Sequence, residues 1–152
     1  MERLPKEAIT RQRRESRDMA FKILFGRVFE KEDINDLSDV FDDTEKVNDM
    51  ELSQYTRRVV IGVENHIADL DEIIKRNMSK WTINRISKVA LTAMRISVYE
   101  MLFEKNVPVS VSINEAVEIV KIYATVEDSA FVNAVLGKVS REIKQSGEIN
   151  NA

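Results

Sequence analysis

The sequence predicts an all-α fold, and three observations lead to that prediction. Only 4 Gly and 2 Pro occur among 152 residues, fewer turn-forming residues than sheets and their loops usually need. Apolar residues recur every three or four positions along most of the chain. No stretch alternates apolar and polar residues for long enough to form a sheet. With 43% apolar residues, the chain can bury a sizeable core without a disulfide or metal.

Two long helices are predicted in the first half. The first runs from about Pro5 or Ala8 to Lys31 and has Phe21 and Leu24 on its apolar side. The segment 32–49 is acidic and is typical of a loop with at most one short helix. The second helix is predicted over about 49–77, because its apolar residues form one continuous stripe. These are Leu52, Tyr55, Val59, Val63, Ile67, Leu70 and Ile74.

Three further helices are predicted in the second half. The segment Lys88–Lys105 is apolar nearly all round, which is typical of a helix covered by neighbours on several sides. Pro108 separates it from the next helix, where Ser112 and Glu115 have the spacing of a capping box. The predicted first residues of the last two helices are Ser110 or Ser112 and Asp128 or Ser129.

Residue types exclude most catalytic chemistry. The chain has no cysteine and one histidine, and it lacks Gly-rich phosphate loops and metal or nucleophile motifs. We expect His66 to be a packed side chain, and Arg95 and Glu100 to belong to a buried ionic or capping network. A non-enzymatic protein without cofactor or metal is therefore predicted. No apolar run approaches the ~20 residues of a membrane span, and a cytoplasmic location is expected.

Charge is sorted along the chain although its formal total is only −3. Residues 1–31 carry nine basic and five acidic side chains, whereas residues 32–51 carry one basic and nine acidic ones. The remaining residues are nearly neutral. Such asymmetry is typical of an interaction arm, although an acidic loop beside a solvated basic face would give the same counts.

Arginines of the first helix lie in line with its apolar stripe. At about 100° per residue, Arg17 lies about 40° and Arg14 about 100° from Arg13. Leu24 and Phe21 fall at about 20° and 80° on the same scale. The arginines must therefore leave the body of the domain or meet negative charge. Two sources of that charge stay open: the acidic segment 32–51 and the phosphates of a nucleic acid.

Two aromatic residues flank the loop 124–127. Tyr123 lies at the end of one predicted helix, and Phe131 lies near the start of the next. Such a pair can stack unpaired bases, each contact being worth ~1–3 kcal/mol. Packing at the edge of the core is the alternative interpretation.

Several sequence blocks resemble the NusB family of bacterial transcription antitermination factors. They include the tandem Asn-Glu-Ala at 114–116 and Phe-Val-Asn at 131–133, and they follow the family's order and spacing. The blocks are RRESRDMAFKILF (13–25), RISVYEM (95–101), VPVSVSINEAVEIVK (107–121) and EDSAFVNAVLGKV (127–139). This resemblance covers about residues 10–143.

The resemblance implies one domain, 1–152, of two packed helical bundles over about 8–78 and 81–145. It implies binding of boxA-type RNA jointly with the small-subunit ribosomal protein that acts as NusE. The complex would help RNA polymerase read through terminators, chiefly in ribosomal RNA operons. The implied RNA-binding residues are Arg11, Arg13, Arg14, Arg17, Phe25, Tyr123 and Phe131.

A second functional class remains open. A helical protein–protein adaptor or dimerising structural protein would pair the same arginines internally or across a subunit interface. The sequence also leaves open whether the free chain is a monomer or a homodimer.

Overall fold

The computed structural model describes residues 6–30, 50–78 and 86–147. These residues form six helices and contain no strand, which confirms the all-α prediction. The helices are α1 (Lys6–Glu30), α2 (Met50–Asn65), α3 (Ile67–Arg76), α4 (Lys88–Phe103), α5 (Val109–Tyr123) and α6 (Val126–Ser146). The expectations for segment 32–49 and for the turn at Trp81 lie outside the described residues. None of the described helices is long and apolar enough to cross a membrane.

The chain divides into two compact units, Met1–Glu64 and Asn65–Ala152. In the first unit, the Thr56 hydroxyl of α2 donates a hydrogen bond to the backbone oxygen of Ser16 in α1 at 3.0 Å. Both residues are buried, so this bond fixes the register between the two helices. The apolar core of the unit comprises Ala20, Phe21, Leu24, Tyr55, Val59, Val60 and Val63. The two-bundle boundary near residues 78–81 stays a prediction.

The helix predicted over 49–77 is interrupted, so its continuity was wrong. His66 separates α2 from α3 with φ −119° and ψ 17°, outside the helical range. Its ring stacks on Phe103 of α4 with the centroids 4.6 Å apart. Leu70 and Ile74 of α3, which belong to the predicted apolar stripe, are fully buried. His66 is therefore a packed side chain, as predicted.

Helix α4 lies at the centre of the second unit. It packs against α3, α5 and α6, which confirms the prediction of a helix covered on several sides. Arg95 on α4 makes two 2.7 Å contacts, from Nε and Nη2, to the two carboxylate oxygens of Asp71 on α3. This paired fork gives Arg95 the partner that its position in an apolar helix requires.

Both predicted starts of the last two helices were late. Pro108 is the N-cap of α5, and the Ser112 amide already donates to the Pro108 carbonyl at 3.0 Å. Ser112 is 1% exposed and its hydroxyl donates to Glu100 Oε1 at 2.8 Å, so it is a buried bridge rather than a cap. Thr125 caps α6, accepting a hydrogen bond from the Asp128 amide at 3.0 Å. Tertiary contact with α4 therefore overrode the capping pattern at Ser112.

Candidate nucleic-acid interface

The four arginines predicted on α1 differ in exposure. Arg11 and Arg14 are exposed, Arg13 is half-buried and Arg17 is only 2% exposed. Leu24 and Phe21 of the same stripe are buried, so the predicted alignment with the stripe is confirmed for Arg17 and Arg13 and not for the exposed Arg14. The four side chains nevertheless form two sets. Arg11 and Arg14 can reach a ligand from solvent, whereas the guanidinium of Arg17 belongs to the interior of the first unit.

Arg13 meets an aromatic ring, an outcome that the sequence interpretation did not include. Its guanidinium carbon lies 3.8 Å from the ring centroid of Tyr55 on α2. Tyr55 is 1% exposed, so the ring is a fixed support between α1 and α2. A cation over an aromatic face gains electrostatic attraction from the ring quadrupole. An arginine can therefore lie along a buried stripe without leaving the domain, because its guanidinium packs on an aromatic ring.

Phe25 belongs to the same helix but to a different environment. It is half-buried, and its ring stacks on that of Phe21 with centroids 5.6 Å apart and planes inclined by 10°. Because Phe21 is a core residue, Phe25 extends the core toward the surface.

Tyr123 and Phe131 lie in the second unit, Tyr123 at the end of α5 and Phe131 within the first part of α6. Tyr123 is 40% exposed and Phe131 is half-buried. Ile122 and Val126 beside them are 68% and 74% exposed. The turn between α5 and α6 therefore presents an apolar surface with an accessible aromatic ring, which is the composition that a stacking platform requires. The predicted site residues thus belong to both units, with the arginines and Phe25 in the first and this pair in the second.

Tyr55 is the residue of this region that sequence reasoning assigned only to the core. Its i, i+3 spacing to Arg58 was the available signal, because an aromatic and an arginine at that spacing share a helix face. Among the described residues, no group of three or more His, Cys, Asp or Glu side chains could hold a metal ion. The described part of the chain is all-helical, and its first helix bears arginines, one of which, Arg13, stacks on the buried Tyr55 ring.

Comparison with known proteins identifies its family. The sequence matches the NusB family over residues 14–141. It is 38% identical over 128 residues to the transcription antitermination protein NusB of Clostridium novyi, spanning 84% of this chain and 96% of that protein. This chain therefore belongs to the NusB family.

Solved structures agree with this assignment. T. maritima NusB superposes with a TM-score of 0.78 at 36% identity, covering 86% of this chain and 91% of that one. A chain from a complex of the antitermination factors NusB and NusE with double-stranded RNA has a TM-score of 0.77 at 26% identity. That match covers 87% of this chain and 98% of the other. The similarity therefore extends over both units rather than over one.

Proposed function

We propose that this protein is a non-enzymatic transcription antitermination factor that binds boxA-type RNA together with the ribosomal protein acting as NusE. It acts in the RNA polymerase antitermination complex, chiefly on ribosomal RNA operons in the cytoplasm. Membership of the NusB family supports this function, as does the similarity to a chain solved with NusE and RNA. The adaptor without RNA binding is not favoured by these relatives.

The observation that carries RNA binding is the exposure of Arg11 and Arg14 beside the Arg13–Tyr55 stack. Arginine offers planar donors that match phosphate oxygens, and helix α1 presents two of them to solvent. Arg13, held against a buried ring, has its guanidinium pre-oriented and loses little freedom on binding. In this proposal Arg17 supports the helix from inside, and the exposed pair contacts the RNA backbone.

Salt dependence tests the arginine contribution. We expect the double variant Arg11→Ala/Arg14→Ala to bind boxA RNA about 25-fold more weakly at ~0.1 M salt, because two phosphate contacts are lost. The slope of log affinity against log salt should become shallower by up to about 1.4, at ~0.7 per contact for single strands. Fluorescence anisotropy with labelled RNA, with and without the NusE partner, measures both quantities.

Lys75→Ala/Lys144→Ala is the matched control, since it removes two exposed positive charges from the second unit. If the control and the arginine variant changed the slope equally, the effect would come from net charge alone and the proposed surface on α1 would be wrong.

The aromatic contribution has a different signature. We expect Tyr123→Ala to weaken RNA binding about 5- to 150-fold, as the loss of one stacked base worth ~1–3 kcal/mol would. Stacking involves no phosphate charge, so the salt slope should stay as in the wild type. The same titration at three salt concentrations measures both. Ile122→Ala, which shortens the exposed neighbour, is the control, and equal losses in the two variants would count against stacking.

A further inference from the structure

A second arginine, Arg58 of α2, also lies near the Tyr55 ring on which Arg13 stacks. The guanidinium carbon of Arg58 lies 5.2 Å from the centroid of the Tyr55 ring, within the range of a cation–π contact. The corresponding distance for Arg13 is 3.8 Å. Two arginines from different helices therefore share one buried ring.

Helical spacing accounts for the position of Arg58. Tyr55 and Arg58 are three residues apart on α2, so their side chains are neighbours on one face. Tyr55 is 1% exposed, whereas Arg58 is exposed. The ring therefore lies beside the guanidinium end of Arg58, in a residue that is exposed as a whole.

The guanidinium groups of Arg13 and Arg58 lie close to each other. Both distances are measured to one centroid, so the guanidinium carbons are separated by no more than the two distances combined. This separation is below the Debye length of ~10 Å at 0.1 M ionic strength, so salt does not isolate one charge from the other. Two positive charges at this separation both contribute to the field that an RNA phosphate meets there.

We propose that Arg58 is a further RNA-binding residue, which contacts the phosphate backbone beside the arginines of α1. This inference rests on the proposed function and extends its RNA surface from one helix to two within the first unit. Arginine fits this role because its fork of donors binds phosphate and its planar face stacks on tyrosine at the same time.

The test measures boxA RNA affinity for Arg58→Ala across a salt series. We expect a loss of about fivefold at ~0.1 M salt that shrinks toward none near 1 M, with a slope shallower by up to ~0.7. Arg58→Glu should weaken binding more than Arg58→Ala, and Arg58→Lys should restore most of the salt slope because the charge returns. Lys75→Ala is the control for the loss of one exposed charge.

The outcomes separate this inference from the proposed function. If the wild type binds RNA, Arg11→Ala/Arg14→Ala weakens it and Arg58→Ala does not, Arg58 is not an RNA contact and the proposed function stands. If Arg58→Ala impairs binding of the NusE partner and leaves RNA affinity unchanged, the residue serves a protein contact and the inference fails. If the wild type does not bind boxA RNA with or without the partner, both proposals fail.

Discussion

Replacing Glu100 with Ala is expected to lower the free energy of unfolding by about 3 kcal/mol. Glu100 on α4 is completely buried, and its Oε1 accepts the hydroxyl hydrogen of Ser112 on α5 at 2.8 Å. Ser112 takes part in a second buried hydrogen bond, in which its Oγ lies 2.9 Å from Oγ of Ser97. Truncation removes the acceptor of a buried hydroxyl group and leaves a cavity between two helices, so the two costs combine.

The size of this loss depends on what Ser112 can do afterwards. Its Oγ lies 3.3 Å from the backbone oxygen of Ser97, a longer alternative acceptor. That contact partly satisfies the hydroxyl, which places the expected cost near the middle of the range for large-to-small core substitutions. Urea denaturation followed by circular dichroism measures it.

Two variants control the measurement. Glu100→Gln keeps the volume and an acceptor oxygen, so we expect less than half of the destabilisation. Glu118→Ala removes an exposed carboxylate of α5, whose 3.5 Å pair with Lys121 is worth well under ~1 kcal/mol. A stability of Glu100→Ala equal to that of Glu118→Ala would contradict a structural role for this network.

The fold was predictable from the sequence wherever a local pattern decides the structure. Helix α1 was predicted from about Pro5 or Ala8 to Lys31 and is observed at Lys6–Glu30, because apolar spacing is a property of the helix itself. The predictions were wrong where a residue distant in the sequence determines the local structure. The break at His66 involves Phe103, and the buried position of Ser112 involves Glu100. Each of these partners lies on another helix, so the spacing of residues along a single helix does not reveal the contact.

The candidate site, like the fold, was predictable from the sequence only where local spacing determines it. The alignment of Arg13 and Arg17 with the core stripe follows from about 100° per residue and needed only the sequence. The support under Arg13 could not be predicted, because Tyr55 comes from another helix, beyond the acidic segment. The apolar stripe of the predicted second helix indicates core residues only, although the ring of Tyr55 in that stripe also contacts the guanidinium groups of Arg13 and Arg58. The difference between the buried Arg17 and the exposed Arg14 agrees with their angles, because Arg17 lies within the apolar stripe and Arg14 lies at its edge.

Glu64→Ala is expected to destabilise the first unit by about 2–3 kcal/mol. Glu64, near the end of α2, accepts a 2.6 Å hydrogen bond from Nε of Arg27, near the end of α1. The Arg27 side chain is 8% exposed and that of Glu64 is 21% exposed. Removing the carboxylate takes a charged hydrogen-bond acceptor away from a buried guanidinium and leaves a cavity. Access of water to Glu64 keeps the loss below the ~3–5 kcal/mol of a fully buried pair.

Asp18→Ala provides a matched control within the same unit. It breaks an i, i+4 pair with Lys22 on α1, at 3.1 Å and with side chains 34% and 56% exposed, so the expected loss is below ~0.5 kcal/mol. Thermal and urea unfolding compare the two. Equal losses would mean that burial adds nothing to the Arg27–Glu64 pair.

A double replacement separates stability from charge in this pair. Arg27→Met/Glu64→Leu fills the same space without desolvating two charges, so its stability should return to that of the wild type or exceed it. The Arg13–Tyr55 stack depends on the packing of α1 against α2 and not on this ion pair as such. RNA affinity should therefore be preserved in the double variant, and a loss of affinity there would place Arg27 or Glu64 in the RNA surface itself.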